Sequence, residues 1–230
     1  MQFERINKYF NKNRYRLLLV FILCFMILPA FFPDSFLGRL IMALSFSFML
    51  FQSVFVYVAN PKRRWIINSV AFVAPILTWY TNLLTSAHVA SKFAQLIILI
   101  IFFIFVMLAL FKIIHNARKI TVDIIIVAIS NYFIVAIVAG SLCYLSYLAE
   151  PETAFRLPQD IEPIDIGDFI YFAFVTLATL GYGDISPSNK ETMTLSALIA
   201  VTGQFYVAVL VAFLVSKLEQ NREEKNLAKE

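Results

Sequence analysis

Apolar residues in this chain gather into long unbroken runs instead of the alternating or one-sided patterns of soluble elements. Uncharged stretches cover 17–33, 40–60, 65–86, 93–111, 124–149 and 192–216, together 130 of the 230 residues. About 20 apolar residues cross the hydrocarbon of a bilayer as a helix, so the pattern predicts six membrane-spanning helices. A further apolar patch, Phe169 to Leu180, is too short to cross and ends in glycines. It predicts a re-entrant element, because non-helical backbone at membrane depth is tolerated only where it is buried in protein or lines a water-filled cavity.

Composition agrees: 60% of residues are hydrophobic and 15% charged, with a mean hydropathy of +0.79, which excludes an ordinary soluble globule. The net charge of +4 is dispersed among the apolar runs and forms no stripe, so nucleic acid is not an expected partner. The lipid bilayer is. Cys24 and Cys143 both fall inside apolar runs, where a thiol serves as a small hydrophobe. No metal-ligand pair, nucleophile elbow or phosphate loop appears, so the chain is not expected to be an enzyme and no cofactor is expected.

Basic residues set the topology. Arg5, Lys8, Lys12, Arg14 and Arg16 precede the first run, Lys62, Arg63 and Arg64 follow the second, and Lys112, Arg118 and Lys119 follow the fourth. Asp34, Arg39 and Lys92 fall in the alternate loops, as does an acid-rich stretch from Glu150 to Asp168 containing six acids and Arg156. The positive-inside rule then predicts a multi-pass protein of the cell membrane with both termini cytoplasmic. A cleaved secretory signal is the competing reading of the N-terminus, and no clear small-residue cleavage site supports it.

The chemistry concentrates in Thr176-Leu177-Ala178-Thr179-Leu180-Gly181-Tyr182-Gly183-Asp184, after a short helix expected to start near Asp168. Pointing consecutive carbonyls the same way requires positive φ, which glycine adopts without a Cβ penalty; Gly181 and Gly183 sit where that is needed. This segment closely resembles the selectivity filter of tetrameric potassium channels, in which four Thr-Val-Gly-Tyr-Gly loops surround one axis and carbonyl oxygens replace the ion's hydration shell. The resemblance implies an all-α membrane protein of six transmembrane helices plus a re-entrant pore helix and selectivity-filter loop, assembled as a fourfold homotetramer. It implies a basic N-terminus over 1–16, a four-helix voltage-sensor-like domain over 17–119, a pore domain over 120–217 and a short tail over 218–230.

By the same resemblance, potassium is the permeant ligand, held by carbonyls of Thr179, Leu180, Gly181 and Tyr182, with Gly183 completing the filter and the Thr179 hydroxyl adding the innermost oxygens. The pore helix aims its negative carboxyl end at the axis. Tyr171, Phe172, Val175, Thr176 and Asp184 are the expected support behind the filter. Leu180 replaces the family's commoner valine. Tyr171 and Phe172 stand at paired-tryptophan positions, with Phe172 expected to offer no donor to Asp184, and Val175 stands where some relatives carry an acid. Tyr182 has two readings: a hydroxyl bonded to a neighbouring pore helix, or only an aromatic wedge.

In voltage-gated relatives the fourth span carries a ladder of arginines. Residues 93–111 carry no charge, so weak voltage dependence is expected. Gly203 lies 20 residues after Gly183, as a hinge glycine or a packing glycine. Val207, Val211 and Val215 form a stripe that either constricts a pore by dewetting or packs against the fifth span. Gln204, Asn131 and Gln95 are read as interhelical hydrogen-bonding groups, Asp123 as an interfacial pair with Arg118 or Lys119, and His88 and His115 as loop residues, with His115 able to titrate near neutrality. Four acid-rich loops around an outer mouth would concentrate cations. The expected function is a passive potassium-selective channel; the alternatives are a potassium transporter or translocation subunit, or a non-conducting regulatory subunit.

Overall fold

The computed structural model describes residues 2–31, 44–45, 47–53, 89–117, 119–158 and 164–227. The expected span 65–86, the loop bases Lys62, Arg63, Arg64 and Arg118, and Asp34, Arg39 and His88 lie outside the described residues, as does part of the span 40–60. Within them the chain is almost wholly helical: α1 (Gln2–Phe31), α2 (Val89–His115), α3 (Val122–Ala149), α4 (Ile166–Leu177) and α5 (Lys190–Leu227), with two short strands, β1 (Phe155–Arg156) and β2 (Ser186–Pro187). Residues 44–45 and 47–53 are also helical. Three helical stretches are long and apolar enough to cross a membrane: Ser91–His115, Val122–Ala149 and Lys190–Lys217. They coincide with the expected fourth, fifth and sixth spans. The protein is a membrane protein.

Helix ends overrun the apolar runs at both extremes of the chain. The basic segment 2–16 is helical and continuous with the first run, and α5 continues ten residues past Lys217 through the charged tail. Both extensions are polar, and glutamate, lysine and arginine are good helix formers that cost little to carry a helix into water.

The chain divides into two compact units, 1–113 with 129–131, and 114–128 with 132–230. In the first, Leu18, Ile22, Met49, Leu50, Phe103 and Leu110 are fully buried, Phe21 stacks on Phe48 at 5.4 Å, and the Gln52 side-chain amide donates to the Arg14 carbonyl at 3.1 Å. Asn131, in the middle of α3, is buried, and its Oδ1 has no partner among the described residues.

The second unit is built around α4. Thr121 caps α3 by accepting from the Ile124 amide. Asp165 caps α4 in a capping box: its carboxylate accepts from the Gly167 amide at 2.6 Å, while Asp168 accepts from the Asp165 amide at 2.9 Å. The helix therefore starts at Ile166, a little before the position expected. Phe169, Phe172, Ala173 and Leu177 on its inner face join Ala136, Ala139 and Cys143 of α3, Phe155 and Ile185 beside the strands, and Ile199 of α5 in one buried cluster. Phe169 is the centre, with Tyr144, Tyr147 and Phe155 rings 5.1–5.6 Å away.

Two glycines let the long helices close on α4. A Cβ on Gly140 would lie 2.6 Å from the Ile170 Cα, and one on Gly203 would fall onto the Leu177 carbonyl oxygen. At the other end, β1 and β2 pair antiparallel with Phe155 opposite Pro187. The Thr192 hydroxyl donates to the Ala154 carbonyl at 2.7 Å, and Asn189 caps α5 by accepting from the Thr192 amide at 2.9 Å. Asn189 also donates to Glu150 at 3.0 Å, which fastens the end of α3 to the start of α5.

Candidate functional site

The site begins where α4 stops. Its last turn closes in the hydrogen-bond pattern of a Schellman motif: the Thr179 amide donates to the Thr176 carbonyl at 3.0 Å and the Leu180 amide to the Val175 carbonyl at 2.9 Å. The residue between the helical cap and the exit must then be left-handed, a place glycine usually fills. Here it is Thr179, with φ 60°. A β-branched residue in that region is a rare outlier, strained by about 1–2 kcal/mol. Retaining a hydroxyl at that cost points to a use for it.

Left-handed backbone recurs at Gly181, φ 58°, and Gly183, φ 80°, and not at Leu180 or Tyr182 between them. The sequence pointed to positive φ at the two glycines and named Thr179 for its carbonyl and hydroxyl but not for its left-handed backbone, because nothing in a threonine advertises positive φ; the signal was its place just past the end of an apolar helix. Among the described residues, no hydrogen bond is donated to the carbonyls of Thr179, Leu180, Gly181 or Tyr182. Leu180 and Tyr182 are 59% and 67% exposed in the single chain.

The expected supporting residues separate into two groups. Val175 is buried, and both its carbonyl and that of Thr176 hold the loop's amides. Phe172 is buried too and meets the Phe155 ring edge-on at 5.4 Å. Phe172 offers no donor to Asp184, as expected, but its neighbour does: the Tyr171 hydroxyl donates to Asp184 Oδ2 at 2.7 Å. Helix phase decides which of the two adjacent aromatics faces the loop. That bond holds the Asp184 carboxyl below its usual range, and the same bond, with smaller contributions from desolvation and the carboxylate's charge, pushes the Tyr171 hydroxyl up to about 12.

On α5, Gly203 is buried against the end of α4, so close packing accounts for it as it stands. Gln204 Nε2 lies 3.4 Å from Thr179 Oγ1. Two residues on, the Tyr206 hydroxyl donates to the Ala128 carbonyl of α3 at 2.7 Å. Val207, Val211 and Val215 are all about half exposed. Of the acid-rich stretch, Glu150, Asp165 and Asp168 are engaged in the caps and ties above, while Asp160 and Glu162 lie outside the described residues. His115 Nδ1 is 3.3 Å from Asn116 Oδ1 in an exposed turn.

Residues 125–220 match the family model described as ion channel. Among curated proteins, the chain is 29% identical over 102 residues to the human potassium voltage-gated channel subfamily A member 10, covering 41% of this chain and 18% of that one. It is 31% identical over 96 residues to the human potassium voltage-gated channel subfamily A member 4, covering 41% and 14%. It is 36% identical over 56 residues to the two pore potassium channel a of Oryza sativa subsp. japonica, covering 24% and 16%. The matched region spans less than a fifth of the length of these relatives. All are ion-transport proteins and none an enzyme, which bears out the expectation of a non-enzymatic membrane protein.

Proposed function

We propose that the chain is one subunit of a potassium-selective channel in which four copies surround a single pore in the cell membrane. The observation that carries this reading is the alternation of φ through Thr179, Leu180, Gly181, Tyr182 and Gly183. Alternating handedness turns successive peptide planes the same way, so a strand of this kind presents a row of carbonyls instead of a zigzag, and those carbonyls have no competing donor among the described residues. Four such rows supply a dry cage of partial negative charge suited to a desolvated monovalent cation. The end of α4, pointing into the same place, adds its negative dipole end.

The exposed apolar surface of α5, including Leu198, Val201, Phe205 and Val209, supports assembly around it, since one chain supplies one filter strand and cyclic closure is the natural symmetry. Six spans, cytoplasmic termini and weak voltage dependence complete the proposal, the last because α2 carries no charge between Lys92 and Lys112.

Potassium efflux from liposomes containing only this chain tests the function. The wild-type chain is expected to release potassium and retain sodium. Gly181→Ala has room for its Cβ, with nothing within 4 Å, but forces an L-residue into left-handed backbone at about 1–2 kcal/mol; it is expected to assemble and lose selective flux. Equal potassium and sodium release by the wild type would overturn the proposal.

A further inference from the structure

The amide of Gln204 reaches the Thr179 hydroxyl at 3.4 Å, and three features bring it there. Gly203, its neighbour, admits the Leu177 carbonyl where a Cβ would stand, which presses this turn of α5 against the end of α4. The Schellman closure puts Thr179 two residues past that same carbonyl. The left-handed φ of Thr179 then fixes the direction of its Cα–Cβ bond.

We infer that Gln204 is a positioning residue for the innermost ion site, setting through its amide how the Thr179 hydroxyl meets a cation. This rests on the channel reading above. A hydroxyl has one proton and two acceptor lone pairs. When the Gln204 N–H occupies one lone pair, the other remains for a cation and the hydroxyl proton is left to point away from both. Without that donor the hydroxyl rotates freely, and each of four copies loses orientation before an ion arrives. Preorganised oxygens cost no reorganisation when charge enters a site, so the loss falls on ion affinity at the inner end of the filter and not on the outer end, which Tyr171 and Asp184 brace.

The test is a double-mutant cycle in planar bilayers, reading the internal potassium concentration that gives half-maximal current. Gln204→Leu is expected to raise that concentration about tenfold, equivalent to about 1.4 kcal/mol, with little change when external potassium is varied instead. Gln204→Asn, which keeps an amide on a shorter arm, should recover part of the loss. In a Thr179→Val background, where no hydroxyl remains, Gln204→Leu should add nothing, the signature of two groups acting as a unit; a Thr179→Ser background, which keeps the hydroxyl, should restore its effect and shows that altered filters still assemble. Additive losses in the valine background, or an unchanged internal affinity in Gln204→Leu, would overturn the Gln204 role while leaving the channel standing. A wild-type chain that passes no potassium would overturn both.

Discussion

Gly203 separates two mechanical accounts of α5, and Gly203→Ala puts them in opposition. A Cβ there would fall onto the Leu177 carbonyl oxygen and sit 2.8 Å from its carbonyl carbon and 3.0 Å from the Leu177 Cγ. The obstacle is backbone at the end of a helix closed by its own hydrogen bonds, not a side chain that can swing aside. Restoring ordinary contact requires α5 to retreat by more than about 1 Å. Overpacking of this kind costs about 1–3 kcal/mol, and the backbone obstacle puts it at the upper end; alanine's better helix propensity returns about 1 kcal/mol. The net is about 2 kcal/mol per chain, which for a protein of this size lowers the unfolding midpoint by about 5 °C. Gel filtration of the detergent-solubilised protein after heating reads that shift, with Val207→Ala, at a half-exposed position on the same helix, as the control expected to stay near wild type. A Gly203→Ala protein that keeps its midpoint and its assembly, and changes only opening and closing rates, would refute close packing and favour a hinge.

Other consequences follow from single bonds. Tyr171→Phe removes the donor to Asp184, and conductance through sustained recordings should decay faster than in wild type, with Asp184→Asn giving the same decay and the double variant no more; two separate additive effects would count against the pair. The pH sign follows from the two shifts. Asp184 has a depressed pKa, so its contribution is present above the ordinary carboxylate range and fades as pH falls through its own value. Tyr171 has a raised one, so its contribution is present below the ordinary phenol range and fades as pH rises through about 12. Decay in wild type should therefore be flat across neutral pH, and a step near pH 7 that Tyr171→Phe abolishes would contradict the assignment. Thr192→Val keeps the shape of a buried side chain but removes its bond to the Ala154 carbonyl, which still accepts from the Ser188 amide at 3.0 Å; a loss of about 0.5–1.5 kcal/mol should appear as a lower unfolding midpoint with conduction preserved below it. Gating-charge measurements should return less than about one elementary charge per channel, and several charges would overturn the account of α2.

The sequence disclosed what is local and withheld what depends on tertiary phase. Uncharged runs located α2, α3 and the start of α5 to within a few residues, because hydrocarbon length is a one-dimensional constraint; the charged continuation of α5 past Lys217 lay outside that signal. The two filter glycines were legible because positive φ favours glycine. Thr179 was legible for its carbonyl and hydroxyl; its left-handed backbone is imposed by the closure of α4 onto the Val175 and Thr176 carbonyls, a demand that outweighs the preference of a β-branched residue. Tyr171 and Phe172 are adjacent, and which of them meets Asp184 depends on the rotation of α4 within its cluster, something two neighbouring aromatics cannot announce. Gly203 carried two readings in the sequence, and only the position of the Leu177 carbonyl shows how closely it packs. Asn189 and Thr192 had the composition of a cap at the start of the sixth run and went unremarked, because the long apolar run that follows drew the reading toward the membrane.

The most direct test of the central claim is the reversal potential of current through planar bilayers containing only this chain, with potassium on one side and sodium on the other. The proposed filter, with left-handed backbone at Thr179, Gly181 and Gly183, predicts reversal close to the potassium equilibrium potential. Reversal near zero would contradict it, meaning that Leu180 and the altered aromatic support leave a pore that does not distinguish the two ions.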